Sequence, residues 1–187
     1  MSHPVFGEST LLKGSTRVTC AEAFEGKRYI LCYFSASWCG PCKTFTPKLR
    51  EWYSTHASKD SCELVFISGD ESEEKMVEYY KDMPWLALPF EYRDLEEELG
   101  VRFKVRGIPT LVVLDATTGK LITDKGRQGM ELKPNDIPWS PILSESATVM
   151  EALGLIGTLS RADGTTEAVS SLAGKPFALY MSASWCP

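Results

Sequence analysis

Trp38-Cys39-Gly40-Pro41-Cys42-Lys43 decides how this chain is read. Two cysteines enclosing Gly-Pro, with an aromatic residue before them and a cation after, form a dithiol redox pattern. The apolar run Tyr29-Ile30-Leu31-Cys32-Tyr33-Phe34 leads in, and the stretch Thr44 to Ala57 leads out with helical spacing. The pair therefore sits at a strand-to-helix junction. There, unpaired backbone N–H groups and the helix macrodipole favour a thiolate on Cys39, which makes it the attacking nucleophile. Cys42 lies one helical turn further on, within disulfide reach at a Cα separation of about 5.5 Å. Pro41 suits the first turn of a helix and stiffens the loop. The expected cycle is attack by Cys39 on a substrate disulfide, a mixed disulfide, and resolution by Cys42. The Gly-Pro interior predicts a strongly reducing potential.

Working outward, Tyr29 to Phe34 is apolar throughout, the pattern of a strand covered on both faces. Phe45, Leu49, Trp52 and Tyr53 recur at helical spacing, and Pro47 inside that stretch predicts a kink. Leu64-Val65-Phe66-Ile67 and Thr110-Leu111-Val112-Val113-Leu114 read as two more buried strands. Asp70 and Glu73 form a capping-box pattern for a helix to about Lys81. A short acidic helix, Arg93 to Leu99, has Gly100 as its expected stop. Thr110–Leu114 and Lys120–Asp124 read as a hairpin. Residues 1 to 28 are polar and turn-rich, with a short strand at Val18-Thr19-Cys20. This order predicts an α/β fold: a central mixed sheet with helices on both faces. Sites in such folds lie past the C-terminal ends of the strands, which brings Cys39 and Asp70 toward one place.

Gly107-Ile108-Pro109-Thr110 is the second informative stretch. A cis Ile108–Pro109 bond would hold the Ile108 backbone extended beside the cysteines, where a peptide substrate can pair as an added strand. A zinc site would need a second Cys/His pair, but the remaining cysteines are dispersed and His3 and His56 are isolated. No metal is expected. The net charge of −5 and the lack of a basic stripe argue against nucleic acid. No apolar stretch approaches the roughly 20 residues of a membrane span. Six cysteines are too few for a secreted disulfide scaffold, so a reducing compartment, cytosol or nucleus, is expected.

The chain then starts again. Gly174 to Met181 repeats the pattern of Gly26 to Phe34, and Ser182-Ala183-Ser184-Trp185-Cys186 repeats Ser35-Ala36-Ser37-Trp38-Cys39 residue for residue. This reads as an incomplete second repeat, with Glu145 to Leu155 as its leading helix. The expected division is a domain over residues 1–142, then a linker and truncated repeat over residues 143–187, as in a fragment or truncated product.

The two motifs in this order resemble the thioredoxin superfamily. Phe34-Ser35-Ala36-Ser37-Trp38-Cys39, Thr46-Pro47, Met83-Pro84-Trp85-Leu86-Ala87-Leu88-Pro89-Phe90 and Ile137-Pro138-Trp139 are similar to its tryparedoxin and nucleoredoxin branch, over roughly residues 8 to 142. Tandem repeats are similar to nucleoredoxins in particular. The resemblance implies a thioredoxin-like fold and a protein-disulfide reductase. The catalytic pair would be Cys39 and Cys42, with Trp38, Gly40, Pro41, Ile108 and Pro109 forming the substrate platform. The sequence departs from the pattern in three places. Gly40-Pro41 replaces the branch's Pro-Pro, and Lys43 replaces its usual arginine, keeping charge but losing the fork geometry. Tyr33 stands where thioredoxins carry a buried Asp, so a proton acceptor for Cys42 must come from elsewhere, with Asp70 or Glu71 nearest by topology. Arg127, expected on a surface loop, matches an arginine that tryparedoxins place at the rim. Cys32 reads as a small core hydrophobe.

The functional expectation is a thiol-disulfide oxidoreductase acting on disulfide-containing client proteins. The alternative is a redox-sensing interaction module switched by Cys39–Cys42 oxidation. No Gly-rich nucleotide fingerprint is present. No bound cofactor is therefore expected beyond the Cys39–Cys42 disulfide itself, and electrons would come from a thiol donor: a reductase, glutathione or a related dithiol.

Overall fold

The computed structural model describes residues 2–139, together with 158–160 and 165–168. The chain divides into two units, Met1–Ser144 and Glu145–Pro187. In the first unit the elements run β1 (Thr10–Lys13), β2 (Thr16–Thr19), α1 (Cys20–Phe24), β3 (Tyr29–Ser35), α2 (Gly40–His56), β4 (Cys62–Ser68) and α3 (Glu73–Tyr80). Then follow β5 (Leu86–Ala87), α4 (Arg93–Arg102), β6 (Thr110–Asp115), β7 (Leu121–Thr123) and α5 (Gly126–Leu132). The seven strands form one mixed sheet in the order β2-β1-β5-β4-β3-β6-β7. β3 pairs parallel with β4 and antiparallel with β6. This is the thioredoxin-like arrangement expected.

Period-two alternation explains why the central strands are apolar throughout. Leu31 and Tyr33 of β3, Leu64 and Phe66 of β4, and Leu111 and Val113 of β6 face one core. Ile30, Cys32 and Phe34, Val65 and Ile67, and Val112 and Leu114 face the other. Phe45, Leu49 and Trp52 of α2 cover the first core together with Met76 and Tyr80 of α3 and Met130 of α5. Phe24 of α1, Leu99 of α4 and the N-terminal Val5 and Phe6 cover the second. Each such buried aliphatic or aromatic side chain contributes about 1.5–3 kcal/mol. A one-residue slip in β3 would exchange the two cores.

Four sequence expectations are corrected. The N-terminal 28 residues hold a β1–β2 hairpin with Lys13 opposite Thr16 and Gly14 at φ 61° in its turn, and Cys20 begins α1 rather than ending a strand. Ser72, not Asp70, caps α3, its side chain accepting from the Lys75 N–H. α4 runs past Gly100 to Arg102. It ends with Lys104 at φ 52°, where Val105 N–H bonds Gly100 C=O at 2.9 Å and Lys104 N–H bonds Val101 C=O at 3.1 Å, a Schellman stop supplied by a lysine. Finally, α5 forms where a surface loop was expected, so Arg127 is a helical residue. The Pro-rich segment after α5 packs back on α2: Trp139 is buried, and Trp52 Nε1 donates to Pro134 C=O at 2.8 Å.

In the second unit the described residues show an antiparallel pair, β8 (Thr158–Ser160) and β9 (Thr166–Ala168). The expected helix at Glu145–Leu155 and the repeat from Gly174 to Cys186 lie outside the described residues.

His3 gives the first unit a testable pH response. Its Nδ1 accepts from the N–H groups of Val5 and Phe6 at 3.2 and 3.3 Å, so Nε2 carries the proton and donates to Ala116 C=O at 3.2 Å. Burial, with some repulsion from Arg102, lowers its pKa below the ordinary 6.5. The unfolded chain therefore takes up the proton first as pH falls, and the His3 contribution, complete above about pH 6.5, is lost progressively below it. Thermal unfolding should weaken more steeply between pH 7 and 5 in wild type than in His3→Gln. Equal slopes would show that His3 titrates no differently in the folded chain.

Candidate active site

Cys39 and Cys42 form a disulfide with Cα atoms 5.2 Å apart. Cys39 is the N-cap of α2, and its Sγ accepts from the Cys42 N–H at 3.1 Å. A sulfur placed there is stabilised as a thiolate, because an N–H and the positive end of a 17-residue helix both face it. Cys42 is completely buried. Gly40 and Pro41 form the exposed first turn above them, and Lys43 follows on the exposed side of α2.

The loop before β6 lies against this pair. The Ile108–Pro109 peptide is cis, and the Ile108 carbonyl oxygen is 3.7 Å from Cys39 Sγ. Trp38 is 61% exposed, yet its position is fixed, since Nε1 donates to Gly69 C=O at 3.1 Å. The structure thus brings Trp38, Cys39, Gly40, Pro41 and Cys42 together with Ile108 and Pro109.

Asp70 joins the same site by a different route from the one expected. It is fully buried at the end of β4. Its Oδ1 accepts from Ser37 N–H at 2.9 Å and from Ser37 Oγ–H at 2.6 Å, and its Oδ2 accepts from Ser68 Oγ–H at 2.8 Å. With Gly69 N–H bonded to Ser35 C=O at 2.9 Å, the two strand ends are clamped together. Behind the clamp, Arg93 Nη1 donates to Ser68 C=O at 2.9 Å. Glu71 instead points to solvent and pairs with Lys75 at 3.0 Å. Arg127 sits with its guanidinium 5.5 Å from the centre of the Phe45 ring, one turn along α2 from Cys42, and pairs with Glu131 at 3.6 Å.

Tyr33 occupies the place below the cysteines and is completely buried. Its hydroxyl meets Thr46 Oγ1 at 2.8 Å. Burial pushes its pKa up to about 12, so it is a neutral phenol. The sequence reasoning missed Ser35, Ser37, Thr46 and Tyr79 as site residues. Ser35 and Ser37 flank Ala36 just before the cysteines, and Thr46 follows Cys42 by one turn, which is the available signal. Asp70 lies 33 residues beyond Ser37, and Tyr79 lies 44 beyond Ser35 and 33 beyond Thr46, whereas Tyr33 stands 13 before Thr46. Among the described residues no three His, Cys, Asp or Glu side chains converge to hold a metal ion.

A cysteine pair at the head of the helix leaving a central strand, faced by a proline loop on the next antiparallel strand, defines a dithiol redox protein. A family model for thioredoxin-like proteins matches residues 26–121, and the chain belongs to the thioredoxin-like family. Its relatives place it beside tryparedoxins and nucleoredoxins. It is 44% identical over 135 residues to a tryparedoxin of Trypanosoma brucei brucei, covering 71% of this chain and 92% of that one. It is 52% identical over 105 residues to a probable nucleoredoxin 1 of Arabidopsis thaliana, covering 56% of this chain but 18% of that one. The chain thus spans nearly all of the tryparedoxin and a small part of the nucleoredoxin. Among solved structures, tryparedoxin II complexed with glutathionylspermidine is 43% identical with a TM-score of 0.67, over 70% of this chain and 92% of that one. The chain is a thioredoxin-family oxidoreductase.

Proposed function

We propose that this chain is a protein-disulfide reductase in which Cys39 attacks and Cys42 resolves. The observation carrying the reading is the position of the Cys39 sulfur, capped by the Cys42 N–H at 3.1 Å and adjoining the Ile108 carbonyl. As a thiolate, Cys39 attacks one sulfur of a client disulfide. The client's other sulfur leaves with the electron pair, and a mixed disulfide remains on Cys39. Cys42 then attacks Cys39, giving the Cys39–Cys42 disulfide and releasing the second client thiol. An extended client segment would align on the Ile108 backbone beside the Trp38 ring, by strand addition. Electrons would return from a thiol donor. The relative solved with glutathionylspermidine supports a low-molecular-weight glutathione-type thiol as one candidate class. Such a dithiol would be maintained in a reducing compartment, cytosol or nucleus.

The test is reduction of insulin by the chain with dithiothreitol as donor, run beside Cys39→Ser/Cys42→Ser. Wild type should accelerate precipitation of the insulin B chain, and the double variant should not. A Cys42→Ser trap separates this reading from a redox-sensing interaction module. Many covalently captured clients support a reductase, whereas one stable non-covalent partner overturns it.

A further inference from the structure

The polar groups beneath Cys42 form one closed hydrogen-bonded set. Thr46 Oγ1 donates to the Cys42 carbonyl at 2.9 Å. A hydroxyl has one proton, so toward its two other partners Thr46 can only accept. The Tyr33 hydroxyl must then donate to it at 2.8 Å and the Tyr79 hydroxyl at 2.7 Å. Tyr79, having spent its proton, accepts from Ser35 Oγ–H at 3.3 Å. Four hydroxyl protons make four bonds, and every bond is directed toward Cys42. β3 supplies Tyr33 and Ser35, α3 supplies Tyr79, and α2 carries Thr46 one turn past the cysteine.

This set matters most when the disulfide is open. In the oxidised chain the Cys39–Cys42 bond itself holds the first turn of α2. In the mixed disulfide Cys39 is bonded to the client, and that covalent tie is absent. Asp70 is aimed elsewhere, with both oxygens engaged by Ser37 and Ser68.

We infer that Thr46 is a positioning residue for the resolving step. Pinned by Tyr33 from the sheet and Tyr79 from α3, its hydroxyl holds the Cys42 carbonyl, and with it the first turn, so that Cys42 Sγ stays aimed at Cys39 Sγ. In that step the Cys42–Cys39 bond forms and the Cys39–client bond breaks. The client sulfur takes the electron pair and ends as a thiol, matching the proton that Cys42 loses. The inference rests on the reading above, that Cys42 is the resolving cysteine.

The test is rapid-mixing kinetics of the reduced chain with a peptide disulfide, following both formation and decay of the mixed disulfide. Thr46→Val keeps the shape but leaves two phenol hydroxyls without their acceptor. Its resolution should slow by about tenfold, with formation of the mixed disulfide changed less than about twofold. Thr46→Ser, which restores the hydroxyl, should recover the resolution rate to within about twofold. The double variant Tyr33→Phe/Tyr79→Phe removes both donors, at the cost of the acceptor that Tyr79 gives the Ser35 hydroxyl, and serves if Thr46→Val does not fold. It should slow resolution alone by about threefold. A folded Thr46→Val or double variant that resolves at the wild-type rate overturns the inference, as does a Thr46→Ser that fails to recover. Cys42→Ser is run alongside. If it does not accumulate the mixed disulfide, the underlying assignment of Cys42 has failed; if it does while Thr46→Val resolves normally, only the role of Thr46 has failed.

Discussion

Cys39→Ser should reduce insulin-disulfide reduction to the rate of dithiothreitol alone, while Cys42→Ser should complete the first attack and stop with the client covalently held. The two sulfurs differ because their surroundings differ. Cys39 caps α2, receives the Cys42 N–H at 3.1 Å and lies 3.7 Å from the Ile108 carbonyl oxygen; it keeps 4% of its surface exposed, whereas Cys42 inside the first turn keeps none. The other cysteines of the first unit supply an internal comparison. Burial pushes Cys20 up to about 11 and Cys32 and Cys62 up to about 12. At pH 7 each would then be thiolate only at about one part in 10⁴ to 10⁵. Brief alkylation of the reduced chain at neutral pH, followed by mass analysis of peptides from residues 1–139, should find the label on Cys39. Label on Cys42 in preference to Cys39 would reverse the roles, and label on Cys20, Cys32 or Cys62 would contradict their raised thiol pKa.

Much of this site is legible in the sequence because its chemistry is local. Cys39 and Cys42 are one turn apart, and the strand before them and the helix after them announce themselves by apolar run and periodicity. The proline of Ile108-Pro109 is likewise a local mark. The hairpin at the start was missed although it carries local marks: Gly14 between Thr10–Lys13 and Thr16–Thr19 is a turn signal, and Thr19 with Glu22 is a capping box. These signals lie in a polar segment with little apolar alternation, where the pattern is weak. α5 is harder to see because Gly126 and Gly129 lower its helix propensity. Its place is set by packing: a Cβ on Gly126 would lie 2.7 Å from the Leu111 carbonyl oxygen. Asp70 shows the clearest limit. Its neighbours in sequence, Glu71, Ser72 and Glu73, make a convincing helix start, and the cap falls on Ser72. The carboxylate of Asp70 turns the other way, to a serine 33 residues earlier, and no local pattern encodes that choice.

Asp70→Ala should therefore destabilise the first unit by about 2–4 kcal/mol and lower turnover as well. Three donors lose their acceptor at once: the Ser37 N–H, the Ser37 hydroxyl and the Ser68 hydroxyl. The desolvation of a buried carboxylate offsets part of the loss, but removing one side of a buried polar set leaves the other side unpaired, and that term dominates. The Ser37 loop carries Trp38 and Cys39, so its release displaces the first cysteine of the pair as well as loosening the fold. Asp70→Asn discriminates this clamp from a proton acceptor for Cys42. An asparagine Oδ1 can still accept both Ser37 bonds, and the Ser68 hydroxyl can rotate to accept from Nδ2. A clamp therefore predicts that Asn recovers about half of the lost stability and most of the turnover. A proton acceptor predicts that Asn and Ala slow resolution equally while leaving stability near wild type. Urea unfolding of the two variants beside wild type, with resolution rates measured on the same preparations, decides between them: recovery by Asn supports the clamp, and equal kinetic loss with unchanged stability overturns it.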